Sequence, residues 1–284
     1  MLRAVSHVPP QPIDYLFIDG GYLSRVLERF ATDFYPTQRP MVDYKLLSEN
    51  FTKVFYYNCP PPRHKDETDA SFSTREAEYE ALIRDISENP GWHVSHGVSR
   101  RHPKRGNVQK EVDVQIAVDL LTHSFKGNMH KAVLLAGDLD FRPVIEAVVK
   151  EGMYLTLWSD VRSTSGELRR SADARRTFDI WTYNGLLAPG IAKCKLPERH
   201  SVGPTFNAPL LEQAIFEDGT TYNLYAPGSG SYLLASQHRI DGASHIGYQV
   251  TPADFPDPLG SLKSFFETHH GKPKWITVPQ ARGS

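Results

Sequence analysis

Apolar and polar positions in the first two-thirds of the chain follow two alternating rhythms. Short apolar or alternating runs predict strands at Tyr15 to Ile18, Lys53 to Tyr57, Trp92 to Val98, Ala132 to Ala136, Tyr154 to Trp158 and Phe178 to Tyr183. Between them, apolar residues recur at helical spacing. Leu23, Val26, Leu27 and Phe30 share one face of a helix over 22–30. Tyr79, Leu82, Ile83 and Ile86 do so over 74–87, where Ser73 or Thr74 is the expected cap. Val112, Ile116, Ala117 and Leu120 do so over 111–123. Further helices are predicted over 141–151, stopped by Gly152, and over 166–174. Strands alternating with helices argue for an α/β fold: an open parallel sheet flanked by helices, with sites beyond the carboxyl ends of the strands.

The texture changes after about residue 188. Pro189, Pro197, Pro204 and Pro209 punctuate a stretch that reads as a linker over 189–209. Residues 210–284 read as a small β-rich or α+β appendage, with strand-like runs at Tyr232 to Ala235 and His245 to Val250 and a helix over Leu259 to Thr268. Residues 1–13 are a Pro-rich lead-in, and 14–188 form the main domain.

With 284 residues, 40% of them apolar, the chain has material for a core without disulfide or metal staples. Two cysteines, Cys59 and Cys194, exclude a disulfide framework and fit a reducing, cytoplasmic setting. No stretch approaches the roughly 18 unbroken apolar residues of a membrane span, and the first residues lack the apolar centre of a signal peptide. A net charge of −1 decides nothing about nucleic acid, but the distribution is uneven. Arg100, Arg101, Lys104, Arg105 and Lys110 crowd one loop without an acid among them, and Arg169, Arg170, Arg175 and Arg176 form a second group.

Acidic residues collect at strand ends. Asp19 closes the first strand, Asp138 and Asp140 follow the central apolar strand, and Asp113 opens the helix after the basic loop. Gathered carboxylates repel and their pKa values rise unless a cation offsets them. A hard divalent ion with oxygen ligands is the natural partner, and such an ion promotes in-line phosphodiester hydrolysis. Each Asp also has a purely structural reading: Asp138 or Asp140 can cap the following helix, and Asp113 favours a helix N-terminus. Two of them within three residues, with two more on neighbouring elements, weigh against an entirely structural account. Asp119 lies about 120° from Asp113 around its helix and is at most a supporting group.

Four segments resemble the NYN domain, in its LabA-like branch of the PIN superfamily. They are Phe17-Ile18-Asp19-Gly20-Gly21-Tyr22-Leu23; Lys110-Glu111-Val112-Asp113-Val114 running on to Asp119-Leu120-Leu121; Ala136-Gly137-Asp138-Leu139-Asp140-Phe141-Arg142-Pro143; and Leu168-Arg169-Arg170-Ser171-Ala172-Asp173. Their order and spacing agree across residues 14–183. The resemblance implies a PIN-like Rossmannoid sheet, an aspartate site for Mg²⁺ or Mn²⁺, and endonucleolytic cleavage of RNA, with Asp19, Asp113, Asp138 and Asp140 as catalytic and metal-holding residues. Two positions depart from the family pattern. Tyr22 stands where Asn is usual, and Glu111 where Gly is usual. Glu111 reads as an N-terminal helix acid or a second supporting carboxylate.

RNA is the expected partner, single-stranded or structured, with no membrane; a homo-oligomer is left open. Phosphate contacts are expected from Arg100, Arg101, Lys104, Arg105 and Lys110, whose loop runs into the Asp113 helix, and from Arg169 and Arg170. Arg142 reaches either a phosphate or Glu146, four residues on. Tyr22 stacks on a base or packs inside. His93, His96 and His102 crowd together, but no Cys or helical His pair completes a zinc site. A catalytically inactive RNA- or protein-binding module on the same fold is the alternative to a nuclease. A haloacid dehalogenase-type phosphatase needs Asp-x-Asp after its first strand, and position 21 is Gly21. Without a Gly-rich nucleotide fingerprint or Walker motif, kinase and dehydrogenase readings fail.

Overall fold

A computed structural model describes residues 13–37, 39–102, 106–202, 207–236 and 245–279, with the side chains of 98–110, 201, 245 and 246 outside the description. The chain divides into two compact units, Met1–Ala192 and Lys193–Ser284.

In the first unit, β1 (Asp14–Asp19) runs directly into α1 (Gly20–Phe34), followed by α2 (Tyr44–Ser48), β2 (Lys53–Asn58), α3 (Asp69–Ser87) and β3 (Trp92–His96). Next come β4 (Val98–His102), β5 (Gly106–Lys110), α4 (Val112–Phe125) and β6 (Lys131–Leu135). A single 3-10 turn (Leu139–Phe141) then leads into α5 (Arg142–Lys150), β7 (Tyr154–Ser159), α6 (Gly166–Ser171), β8 (Ala174–Thr177) and α7 (Ile180–Gly185).

Six of these strands form one parallel sheet in the order β3-β2-β1-β6-β7-β8. The chain begins at the centre, works outward to β3, then returns beside β1 and works outward the other way. The order therefore reverses between β1 and β6, where open α/β sheets place their sites. Both central strands are buried on both faces, which is why they read as unbroken apolar runs. Tyr15 and Phe17 pack under α4 and α5 with Ile116, Leu120, Ile145 and Val148. On the opposite side of the sheet, Phe30 of α1 meets Phe178 and Tyr183 at ring separations of 6.4 and 5.7 Å.

Several elements differ from the sequence expectation. The basic loop is an antiparallel hairpin, β4–β5, with Val98 opposite Lys110 and Arg101 opposite Asn107. Its strands are polar, so no apolar alternation announces them. The last strand of the parallel sheet is not Phe178 to Tyr183 but the preceding Ala174–Thr177, an edge strand carrying two arginines. Phe178 and Ile180 are buried as a strand's residues would be, but Asp179 ends the strand by accepting a hydrogen bond from the Thr182 N–H (2.9 Å) and starting α7. Helix α3 begins earlier than expected, capped by Thr68, whose Oγ1 accepts from the Ser71 N–H at 3.2 Å. The helix over 166–174 is shorter, ending at Ser171. Gly152 does terminate α5, with φ of 85°.

The second unit contains β9 (Glu198–Val202), β10 (Leu210–Ile215), β11 (Thr221–Gly228), β12 (Ser231–Ser236), β13 (His245–Val250), α8 (Pro258–His270) and β14 (Lys274–Thr277). Its strands form an antiparallel sheet ordered β14-β10-β11-β12-β13-β9, with α8 packed on β12 and β13. Leu262 and Phe266 of α8 are fully buried, and the Phe266 ring lies 4.9 Å from that of Tyr222. Strand β9 falls inside the 189–209 stretch that reads as a linker; Glu198, Arg199 and His200 are exposed, so this edge strand carries no apolar signature. No helix among the described residues is long and apolar enough to cross a membrane.

Glu111, between β5 and α4, has φ of 88°, a left-handed conformation that a side chain resists by roughly 1–2 kcal/mol. Its side chain makes no capping hydrogen bond in return. Glu111→Gly is expected to stabilise the protein by up to about 1 kcal/mol, part of the relief being offset by the greater freedom of glycine in the unfolded chain. Urea unfolding of the two proteins measures it; a loss of stability would show that the Glu111 side chain does more than occupy a strained position.

Candidate functional site

Strands β1 and β6 are neighbours, with Ile18 opposite Leu135, so the residues just past their carboxyl ends arrive at one place. Asp19 is the last residue of β1, and β6 continues through Ala136 and Gly137 to Asp138. Helix α4 packs against β1 and β2 and carries Asp113 in its first turn. The four predicted carboxylates fall into one electrostatically linked group. The Asp19 carboxyl is buried, and burial foremost raises its pKa, with the Asp113 charge adding to the rise; the Tyr22 N–H and the Arg25 charge oppose it. Burial also leads the rise at Asp113, followed by the charges of Asp138 and Asp140, again with Arg25 opposing.

Two of these aspartates also cap, although α5 itself has no side-chain cap. Asp19 caps α1, its Oδ1 accepting from the Tyr22 N–H at 2.9 Å. Asp138 caps the 3-10 turn, accepting from the Asp140 N–H at 3.0 Å. In each case one oxygen is engaged, and a carboxylate has further lone pairs to offer.

The donor set consists of hard oxygens only, which suits Mg²⁺ or Mn²⁺ and not a soft metal. Among the described residues, no group of three or more His, Cys, Asp or Glu side chains stands close enough to hold a metal ion. The residues therefore fit a hydrated ion held by one or two carboxylates, not a closed protein cage. Cys59, just beyond β2, is buried close by, and its thiol pKa is raised by burial and then by Asp113, Glu111 and Asp19.

The other predicted residues distribute differently. The Asp119 carboxylate accepts from the Tyr57 hydroxyl at 2.8 Å, and its charge acts on His123. Glu111 is exposed at the start of α4. Arg142 pairs with Glu146 (2.7 Å) and Glu167, so the ion-pair reading accounts for it. Arg169 is half-buried and Arg170 exposed in the last turn of α6, where positive charge suits a helix C-terminus. Arg176 lies over the Trp158 ring at 4.1 Å. Arg100, Arg101 and Lys110 are in the hairpin with side chains outside the described ones, and Lys104 and Arg105 lie outside the described residues altogether. His93 stacks on Phe55, and His96 Nδ1 lies 3.0 Å from the Tyr79 hydroxyl, and among the described residues neither belongs to a group of three metal-ligand side chains; the His102 side chain is outside the description.

Tyr22 packs inside and does not stack on a base. It is 3% exposed, and its hydroxyl accepts from the Asp160 N–H (2.8 Å) and lies 2.9 Å from Thr164 Oγ1. Ser163 Oγ lies 3.1 Å from the same oxygen and 2.9 Å from Asp160 Oδ2. The Tyr22 ring also lies where a side chain at position 137 would be: a Cβ on Gly137 would overlap it. One aromatic thus ties α1 to the β7–α6 loop and to the backbone that presents Asp138. Sequence reading missed this hub, whose partners are some 140 positions away, and it missed Arg25 and Arg29. These two line a cleft of about 360 Å³ between α1, Asp138 and Ser163.

The NYN domain family profile matches residues 15–179. No curated protein gives a match. Among solved structures, a Vibrio parahaemolyticus protein described as of unknown function is similar at 16% identity and a TM-score of 0.43, over 63% of this chain and 97% of its own.

Tyr22→Phe removes the acceptor of the buried Asp160 N–H, and an unsatisfied buried donor costs about 1–3 kcal/mol. Denaturant unfolding should show a loss in that range, and no loss would mean that water replaces the hydroxyl. A second expectation concerns pH. Because the folded protein raises the Asp19 and Asp113 pKa above 3.8, it binds these protons more tightly than the unfolded chain does. Their contribution to stability is therefore full below pH 3.8 and is lost as pH rises through the raised values. In EDTA, Asp113→Asn should gain stability relative to the parent as pH increases across this window; a pH-independent difference would contradict the coupling.

Proposed function

The chain belongs to the NYN domain family over residues 15–179, and from that premise we propose that it is a metal-dependent endoribonuclease hydrolysing RNA phosphodiester bonds. The family is PIN-like and nuclease-like, which gives a hydrolase at the coarse level. The observation that carries the finer reading is the linked carboxylate group at the reversal of strand order, in which burial first, and then the neighbouring carboxylates, raise the pKa values of Asp19 and Asp113. Asp19, Asp113, Asp138 and Asp140 would line the site, with one or two of them holding a hydrated Mg²⁺ or Mn²⁺ directly. When bound, the ion supplies Lewis acidity and positive charge at the scissile phosphate.

This chain's own residues supply the rest. Asp19 is fixed by its bond to the Tyr22 N–H, which holds its carboxylate at a rigid strand end. The Tyr22 hub holds Gly137 and hence the start of the turn carrying Asp138 and Asp140. The basic hairpin is contiguous in sequence with the Asp113 helix, so its cations are suited to phosphates of the strand being cut.

A second reading, an inactive RNA- or protein-binding module, is favoured by the lack of a three-carboxylate cage among the described residues. Incubating the protein with labelled tRNA, mRNA and single-stranded DNA, with Mn²⁺, with Mg²⁺ and with EDTA, separates the two. The nuclease reading expects metal-dependent internal cleavage of RNA, abolished by EDTA. Asp19→Asn and Asp138→Asn should each lower turnover by at least about a hundredfold, the scale of losing an electrostatic element of an active site, while circular dichroism stays unchanged. Undiminished turnover in both variants would remove the aspartates from the chemistry, and binding without cleavage would favour the module.

A further inference from the structure

The cleft beside Asp138 contains two arginines, and their surroundings separate their roles. Arg29 is tied down: its Nη2 lies 2.9 Å from Asp160 Oδ1, and its Nη1 is 3.3 Å from Asp33. Asp160 is 1% exposed, so this pair is part of the fold, and the Ser163 hydroxyl donates within the same network. Neither Arg29 nor Ser163 has its charge or its proton to give to a ligand without breaking buried contacts.

Arg25, one turn earlier on α1, is different. It is exposed, lines the same cleft, and forms no ion pair within 4 Å among the described residues. Its charge nevertheless acts on two carboxylates, Asp19 and Asp113, from beyond contact distance. An RNA strand approaching this edge brings negative phosphates toward four negative side chains, and only a local cation makes that approach favourable. A guanidinium suits a phosphate because its planar fork donates two parallel hydrogen bonds.

We propose that Arg25 is a substrate-positioning residue that grips a backbone phosphate of the RNA in the cleft between α1 and Asp138. The proposal rests on the nuclease reading and adds to it where the strand runs: along the α1 side of the carboxylates, in addition to the basic hairpin. Arg29, pinned by the buried Asp160, forms a fixed wall of the cleft that Arg25 shares. Because the grip is on phosphate, it is independent of base identity.

The test measures binding without turnover. A short fluorescein-labelled single-stranded oligoribonucleotide is titrated with full-length protein carrying Asp140→Asn, in Mg²⁺ and again in EDTA, over a range of salt. Adding Arg25→Gln should weaken binding roughly tenfold, the scale of one lost charge-assisted hydrogen bond. It should also flatten the slope of log affinity against log salt by about 0.7, one phosphate contact on a single strand. Arg25→Lys should restore the slope but only part of the affinity, since the fork is lost. Oligonucleotides of different sequence should lose affinity equally. If Arg25→Gln lowers the stability of the metal-free protein but leaves affinity and slope unchanged, Arg25 is only a counterion of the carboxylates and the inference falls, while the nuclease reading stands. If the Arg25-containing protein binds RNA in neither condition, the nuclease reading falls and takes the inference with it.

Discussion

Like charge concentrated at the ends of two adjacent buried strands is the constraint around which the first unit is organised. Phe17, Ile18 and Leu135 are fully buried, and each such side chain stabilises the fold by roughly 1.5–3 kcal/mol. Sliding β1 along β6 by one residue would exchange the two packed faces of β1 and set Phe17 and Ile18 against the wrong neighbours. The repulsion among Asp19, Asp113, Asp138 and Asp140 is therefore borne rather than relaxed, and it adds to burial, the larger cause, in raising the carboxyl pKa values of Asp19 and Asp113. Arg25 is the nearby cation that opposes the rise at both, and it does so from a distance.

Holding such a group in place requires support behind it. One residue supplies it at several points. Tyr22 receives the Asp160 N–H, contacts Ser163 and Thr164, and lies against Gly137, whose lack of a side chain lets the ring approach. An asparagine at this position, as in the family pattern, is too short to reach both the loop and the backbone. In this chain the bulk of the tyrosine lies behind the carboxylates, in the core, and the polar hydroxyl is used to fasten a loop.

The elements that were legible in the sequence share a physical cause. Strands β1, β2, β6 and β7 are buried on both faces or nearly so, and burial on both faces leaves an apolar run. The carboxylates were legible because charge directly after such a run has nowhere apolar to go. Edge elements lack that signature. Strand β8 is Ala-Arg-Arg-Thr, half solvent-facing, and the hairpin strands β4 and β5 have a single apolar side chain each, Val98 and Val108. Helix α7 was mistaken for a strand because Phe178 and Ile180 are both buried, a spacing of two, and only the capping bond of Asp179 shows that the backbone has turned. Arg25 was illegible for another reason: an exposed arginine on an amphipathic helix looks like any solvated residue until the fold shows which carboxylates stand opposite.

Strand β9 lies on the N-terminal side of β10 by a stretch that includes Pro204 and Pro209, yet it completes the far edge of the second sheet by pairing with β13, Val202 opposite His245 and Glu198 opposite Gln249. A protease that nicked the chain between β9 and β10 would not release a pair of finished pieces. Strand β9 would leave with the N-terminal fragment, and β13, which carries the buried Tyr248 and Val250, would be stripped of its neighbour. A bare strand edge of this kind recruits other chains and aggregates. The seam along which the two units separate cleanly therefore lies ahead of Glu198, close to Lys193, and not at the last proline of the connecting stretch.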